Sequence, residues 1–136
     1  MNFSSINWLA VVVCVIVSMI SGSIWFNPKT FYPAWWKAIG RSEDDQPGMQ
    51  NMGIVWGGTL LSSFVQATSV ALMINVMGSM SAGSGAMAGF MLWLGFVAAT
   101  SLTNKLFAGQ LKAWVFEAGN HLVNFLLFGA ILGAWH

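Results

Sequence analysis

Charge is the scarcest property of this 136-residue sequence, which has five Lys or Arg and four Asp or Glu, 7% in all. A soluble domain typically carries about 25% charged residues. A chain this poor in charge, and 57% hydrophobic, cannot keep a water-facing surface solvated. Cysteine is nearly absent too. Cys14 stands alone, which excludes an intrachain disulfide and a cysteine-cluster metal site. Inside an apolar segment it reads as a packed or lipid-facing thiol. The few basic residues make no patch of the kind that binds nucleic acid. Met1–Asn7 lacks the basic stretch of a cleavable signal, and the apolar run after it is too long for one. The first segment is therefore expected to stay as a membrane span.

Long apolar runs are what the sequence does have. Four of them, about residues 6–26, 53–77, 86–107 and 113–135, are each long enough to cross a bilayer. At 1.5 Å per residue the first reaches about 31 Å, against a hydrocarbon thickness of about 30 Å. Backbone groups cannot be left unpaired in lipid, so such runs must be helices. The expected fold is an all-α polytopic membrane protein, a single domain over residues 1–136. Its four transmembrane helices form a compact bundle, with a short interfacial helix after the first. In that helix Phe31, Tyr32, Trp35 and Trp36 interleave with Lys29 and Lys37 just past Pro28. Lys29, Tyr32, Trp35, Trp36 and Lys37 are thus candidates for contact with lipid headgroups. Residues 41–48, with the acidic run Glu43–Asp45, read as a solvated loop.

Charge placement predicts the topology. Lys29, Lys37 and Arg41 fall in the first connection, and Lys105 and Lys112 flank the third. By the positive-inside rule that side is cytoplasmic, and both termini and the Gly78–Gly85 turn face out. Trp8 and Trp135 then mark the outer interface. Trp25, Trp35, Trp36, Trp56 and Trp114 mark the inner one.

Helices associate in lipid through close packing, since burying apolar surface gains little there. Gly53/Gly57, Gly85/Gly89 and Gly129/Gly133 are pairs at four-residue spacing, and Gly22 follows Ser18 at the same interval. These small faces serve either packing within the bundle or a homo-oligomer.

Polar residues inside spans are the candidates for function. The last span supplies Glu117, Asn120, His121 and Asn124; Gln66 and Trp93 lie near the middle of the second and third. Glu117, His121 and Asn124 share a helix face by their i, i+4, i+7 spacing. Three uses compete. Glu117 pairs with Lys112 or Lys105 while the amides and His121 join helices. Alternatively, the cluster lines a proton-coupled or small-solute path, because a histidine with an ordinary pKa of about 6.5 exchanges protons near neutral pH. A metal or haem site is the third. His121 and His136, at opposite depths, are the only imidazoles, so a complete site needs other subunits. No metal and no cofactor is expected. There is no His-Glu-x-x-His, no phosphate loop, and no nucleophile beside a base, so enzymatic activity is not expected either.

Some of these residues also fall into a known pattern. Gly22-Ser-Ile-Trp25-Phe26-Asn-Pro28, followed by Phe31, Trp35 and Gly40, resembles the opening signature of the bacterial membrane family called domain of unknown function 1761. Gly89, Trp93-Leu-Gly-Phe96 and Asn104, with Gly129 to Trp135, resemble its second half. The resemblance implies a small multi-span protein of the bacterial inner membrane and brings no established activity with it. The functional expectation is a structural or accessory subunit, partnered by the bilayer and by copies of itself or a larger membrane complex. The alternative is a small transporter or channel built on the cluster around His121.

Overall fold

The computed structural model describes residues 2–41 and 52–136. Glu43–Asp45 and nearly all of the solvated loop expected around them lie outside the described residues. Every regular element among the described residues is helical. Four helices are long and apolar enough to cross a membrane, Trp8–Trp25, Gly53–Met77, Ala82–Phe107 and Leu111–Ala134.

The first span is α1 (Trp8–Trp25). Asn7 caps it, its side chain accepting from the Ala10 N–H at 3.2 Å. This cap starts the helix at Trp8 rather than Ile6. After Pro28 the chain reverses on Thr30, whose hydroxyl donates to the carbonyls of Ile24 and Trp25. The expected short helix follows as α2 (Tyr32–Ala38), with a proline in its first turn, where the missing N–H costs nothing. The second span, α3 (Met52–Met77), runs for 26 residues. At about 39 Å it exceeds the hydrocarbon layer, so it must tilt or project.

Gly78, with φ of 69°, turns the chain after α3. The third span then begins at Ala82, four residues before the expected start at 86. Ser81 and Ser84 form a reciprocal capping box that pulls residues 82–85 into the helix. This span has three parts: α4 (Ala82–Leu92), a π-helical segment Trp93–Ala98, and α5 (Ala99–Phe107). Gly109, also at φ of 69°, leads into the last span, α6 (Leu111–Ala134).

The tightest pairing in the bundle is α4 against α6, backbone on backbone. A Cβ on Gly85 would run into the Gly129 carbonyl oxygen, and one on Gly129 into that of Gly85. Gly89 stands in the same relation to the Phe125 carbonyl, and Gly133 to that of Ser81. Side chains are absent where the helices touch, which permits the close approach that dispersion packing in lipid requires. The core lies toward the end that holds both termini. It comprises Ala10, Val11 and Cys14 of α1, Val70 and Ile74 of α3, Ala88 of α4, and Phe125, Phe128 and Leu132 of α6. Asn75 to Ser5 and Asn7 to the Trp135 carbonyl close that end. At the opposite end, which carries the described lysines, Gln110 donates to the Ile39 carbonyl at 3.2 Å. There α3 stands apart from the core, every residue from Trp56 to Ser62 being exposed.

Candidate functional site

The polar residues of α6 face different neighbours. Asn120 is buried and donates to the Ser21 hydroxyl at 3.2 Å, joining α6 to α1. Glu117 reaches the other way. Its Oε2 lies 3.3 Å from the Lys105 ammonium, both side chains about a quarter exposed. Of the two lysines considered for it, Lys105 is the partner, held in place by a second bond to Gln110 Oε1 at 3.2 Å. Trp93 donates from its indole nitrogen to the Ala118 carbonyl at 3.0 Å. Gln66 is half-buried on α3, and no hydrogen bond among the described residues joins it to the α6 set.

His121 and Asn124 complete the set. Asn124 is 6% exposed, and its Oδ1 is buried without a hydrogen-bond partner; the same holds for His121 Nδ1 and for Thr68 Oγ1 on α3. Buried polar atoms ordinarily find partners, so these three, with Trp35 Nε1, are the exceptions among the described residues. Among the described residues, no three His, Cys, Asp or Glu side chains gather as a metal would require.

The Glu117–Lys105 pair contributes little to folding, because partly solvated ion pairs are typically worth about 0–1 kcal/mol. Glu117→Gln should therefore lower unfolding stability in micelles by less than about 1 kcal/mol. A larger loss would mean that the charge itself holds α5 to α6.

Two further tryptophans fasten helices, and sequence reasoning assigned them only to the interfacial belt. Trp25 Nε1 donates to the Phe116 carbonyl at 2.8 Å, linking α1 to α6. Trp114 Nε1 donates to the Ala98 carbonyl at 3.1 Å, at the end of the π-helical segment. An irregular stretch of helix in lipid needs replacement partners for its backbone, and Trp114 supplies one. The available signal was that an indole N–H needs an acceptor when buried.

The interfacial residues cluster at the lysine end. Trp35 packs edge-on to Phe26 at 5.2 Å, Tyr32 stacks on Trp36 at 5.6 Å, and the Arg41 guanidinium sits 5.6 Å from the Trp36 ring. Lys29 and Lys37 are exposed beside them. Of the small residues, Gly85, Gly89, Gly129 and Gly133 meet in one seam, whereas Gly57 has open space where a Cβ would project.

A family model described as "Protein of unknown function (DUF1761)" matches residues 9–133, which takes in the four spans save one residue at the start of the first and one at the end of the last. No curated protein and no solved structure gives a match. The match covers nearly the entire chain and agrees with the resemblance carried by the Trp25–Pro28 and Trp93–Phe96 segments. This membrane protein belongs to the DUF1761 family, whose function is unknown.

Proposed function

We propose that the chain is a structural or accessory subunit of the bacterial inner membrane, with its lysine end in the cytoplasm and both termini outside. One observation carries the reading. Three of the six candidate polar side chains are spent on joining helices, Asn120 to Ser21, Glu117 to Lys105 and Trp93 to the Ala118 carbonyl. Groups committed to holding a bundle together are poorly placed to bind and release a moving solute. Such a protein acts through its outer surface. The exposed stretch of α3 with Gly57, Gly58 and Ser62 is a face on which copies of the chain can associate.

A small transporter is the second reading, favoured by the unpartnered His121 Nδ1 and Asn124 Oδ1. Proton and small-solute flux into liposomes separates the two. The structural reading expects flux equal to that of empty liposomes for wild type and His121→Ala alike. Flux above that background in wild type, lost in folded His121→Ala, would replace it with the transporter. Native mass spectrometry of the extracted full chain tests association, and a monomer without any protein neighbour would argue against an accessory role.

A further inference from the structure

At the lysine end a cleft of about 570 Å³ opens between α2 and α6, lined by Ala34, Lys37, Ala38, Lys112, Val115 and Phe116. Its volume falls within the range of about 300–1,000 Å³ typical of small-molecule sites. The lining has two chemical characters. Lys37 and Lys112 contribute one ammonium from each helix, and among the described residues no acidic side chain lines the cleft. Both lysines are exposed, and neither ammonium takes part in an ion pair or hydrogen bond among the described residues. Two ammonium groups beside one cleft make it complementary to an anion. Ala34, Ala38, Val115 and Phe116 make the remainder apolar.

The walls are fixed relative to each other. Gln110 ties the end of α2 to the start of α6, and Phe31, just before α2, packs on Phe116 at 5.5 Å. Lys112 lies in the first turn of a 24-residue helix, whose unpaired N–H groups add positive potential at the same place. The occupant must be anionic at one end and apolar at the other. Val115, 56% exposed, carries the apolar wall out to the lipid-facing surface of α6. A soluble anion has no use for such a wall; an acyl chain does.

We infer that this cleft binds the headgroup of an anionic phospholipid. The phosphodiester lies between Lys37 and Lys112, and the glycerol and first acyl carbons lie along Ala34, Ala38, Val115 and Phe116. Aromatic residues of α2 hold the interfacial helix at the depth where headgroups lie. The site stands apart from the polar cluster of α6 and holds whichever reading of that cluster is correct.

The test is native mass spectrometry of the full chain released from phosphatidylcholine bilayers doped with phosphatidylglycerol. Wild type should retain phosphatidylglycerol in excess of its share of the bilayer. Lys37→Gln and Lys112→Gln should each lower that enrichment about fivefold. Lys105→Gln, whose ammonium faces Glu117 outside the cleft, should leave it unchanged. Ala38→Trp, which fills the cleft while keeping both lysines, should abolish it. Equal retention of the two lipids would overturn the inference. So would an equal loss in Lys105→Gln, which means diffuse surface attraction, or displacement of the lipid by inorganic phosphate, which means a soluble anion site.

Discussion

Gly85→Ala and Gly129→Ala should each destabilise the protein by about 3 kcal/mol or more, at the upper end of overpacking costs. In either variant the new methyl meets the carbonyl oxygen of the facing glycine. The obstacle is backbone, so no side chain can swing aside, and α4 and α6 must separate along their whole seam. Alanine favours a helix over glycine by about 1 kcal/mol, which offsets only part of the loss. Gly57→Ala is the internal control. It receives the same helical gain with nothing within 4 Å of the new atom, and should be neutral or mildly stabilising. Reversible unfolding in mixed micelles, with helicity as the signal, compares all three. The double variant adds a further check. Once the helices have parted for one methyl, the second costs less, so Gly85→Ala with Gly129→Ala should fall well short of additivity. If Gly85→Ala is as stable as Gly57→Ala, the seam does not hold the bundle together.

These three glycines also show where sequence reading ends. Gly53/Gly57, Gly85/Gly89 and Gly129/Gly133 are spelled alike, and four-residue spacing identifies each as a small helix face. Which face meets which is a tertiary fact. The spans were legible because the bilayer imposes length and apolarity on every crossing segment independently of its neighbours. The short helix after Pro28 was legible for a similar reason, since the interface selects its aromatic and basic residues locally. The π-helical segment was not. Trp93-Leu-Gly-Phe-Val-Ala98 is an ordinary apolar helical string, and its registry is set by how Trp93 and Trp114 engage across to the neighbouring backbone. The start of the third span at Ala82 lay within reach of sequence reasoning. A Ser-x-x-Ser box caps much as a Ser-x-x-Glu box does, but the glycine and serine around it read as turn.

The candidate site divides along the same line. Glu117, His121 and Asn124 do share a helix face by spacing, yet their surroundings differ. Glu117 is taken up by Lys105, whereas His121 and Asn124 each keep a buried atom without a partner. Spacing along one helix carries no information about what the other helices present to it. Lys112 went the opposite way. It was weighed as the partner of Glu117 and instead lines the cleft against α2, with Lys37.

Trp25→Ala should cost about 3 kcal/mol, at the low end of aromatic truncations because the residue is only half-buried. Three interactions end together. The ring lies against Gly119, so closely that a Cβ there would sit 2.9 Å from Trp25 Cζ2. Its face meets Phe31 at 4.7 Å, and its N–H donates to the Phe116 carbonyl at 2.8 Å. Trp25→Phe keeps much of the ring packing and gives up the bond, a loss of about 0.6–2 kcal/mol for an interhelical hydrogen bond in a membrane. Trp35→Phe supplies the comparison. The Trp35 indole N–H is buried without a partner, so removing it relieves an unsatisfied donor while shrinking a packed ring. These two terms nearly cancel, and its stability should stay within about 1 kcal/mol of wild type. Equal losses in the two phenylalanine variants would show that the Trp25 bond fastens nothing. Hydrogen exchange locates the effect. In Trp25→Ala the amides of residues 20–26 should lose protection first, since Trp25 and the Asn120–Ser21 bond are what hold that end of α1 to α6. The amides of α4 along the glycine seam should stay protected, because that seam makes no use of Trp25.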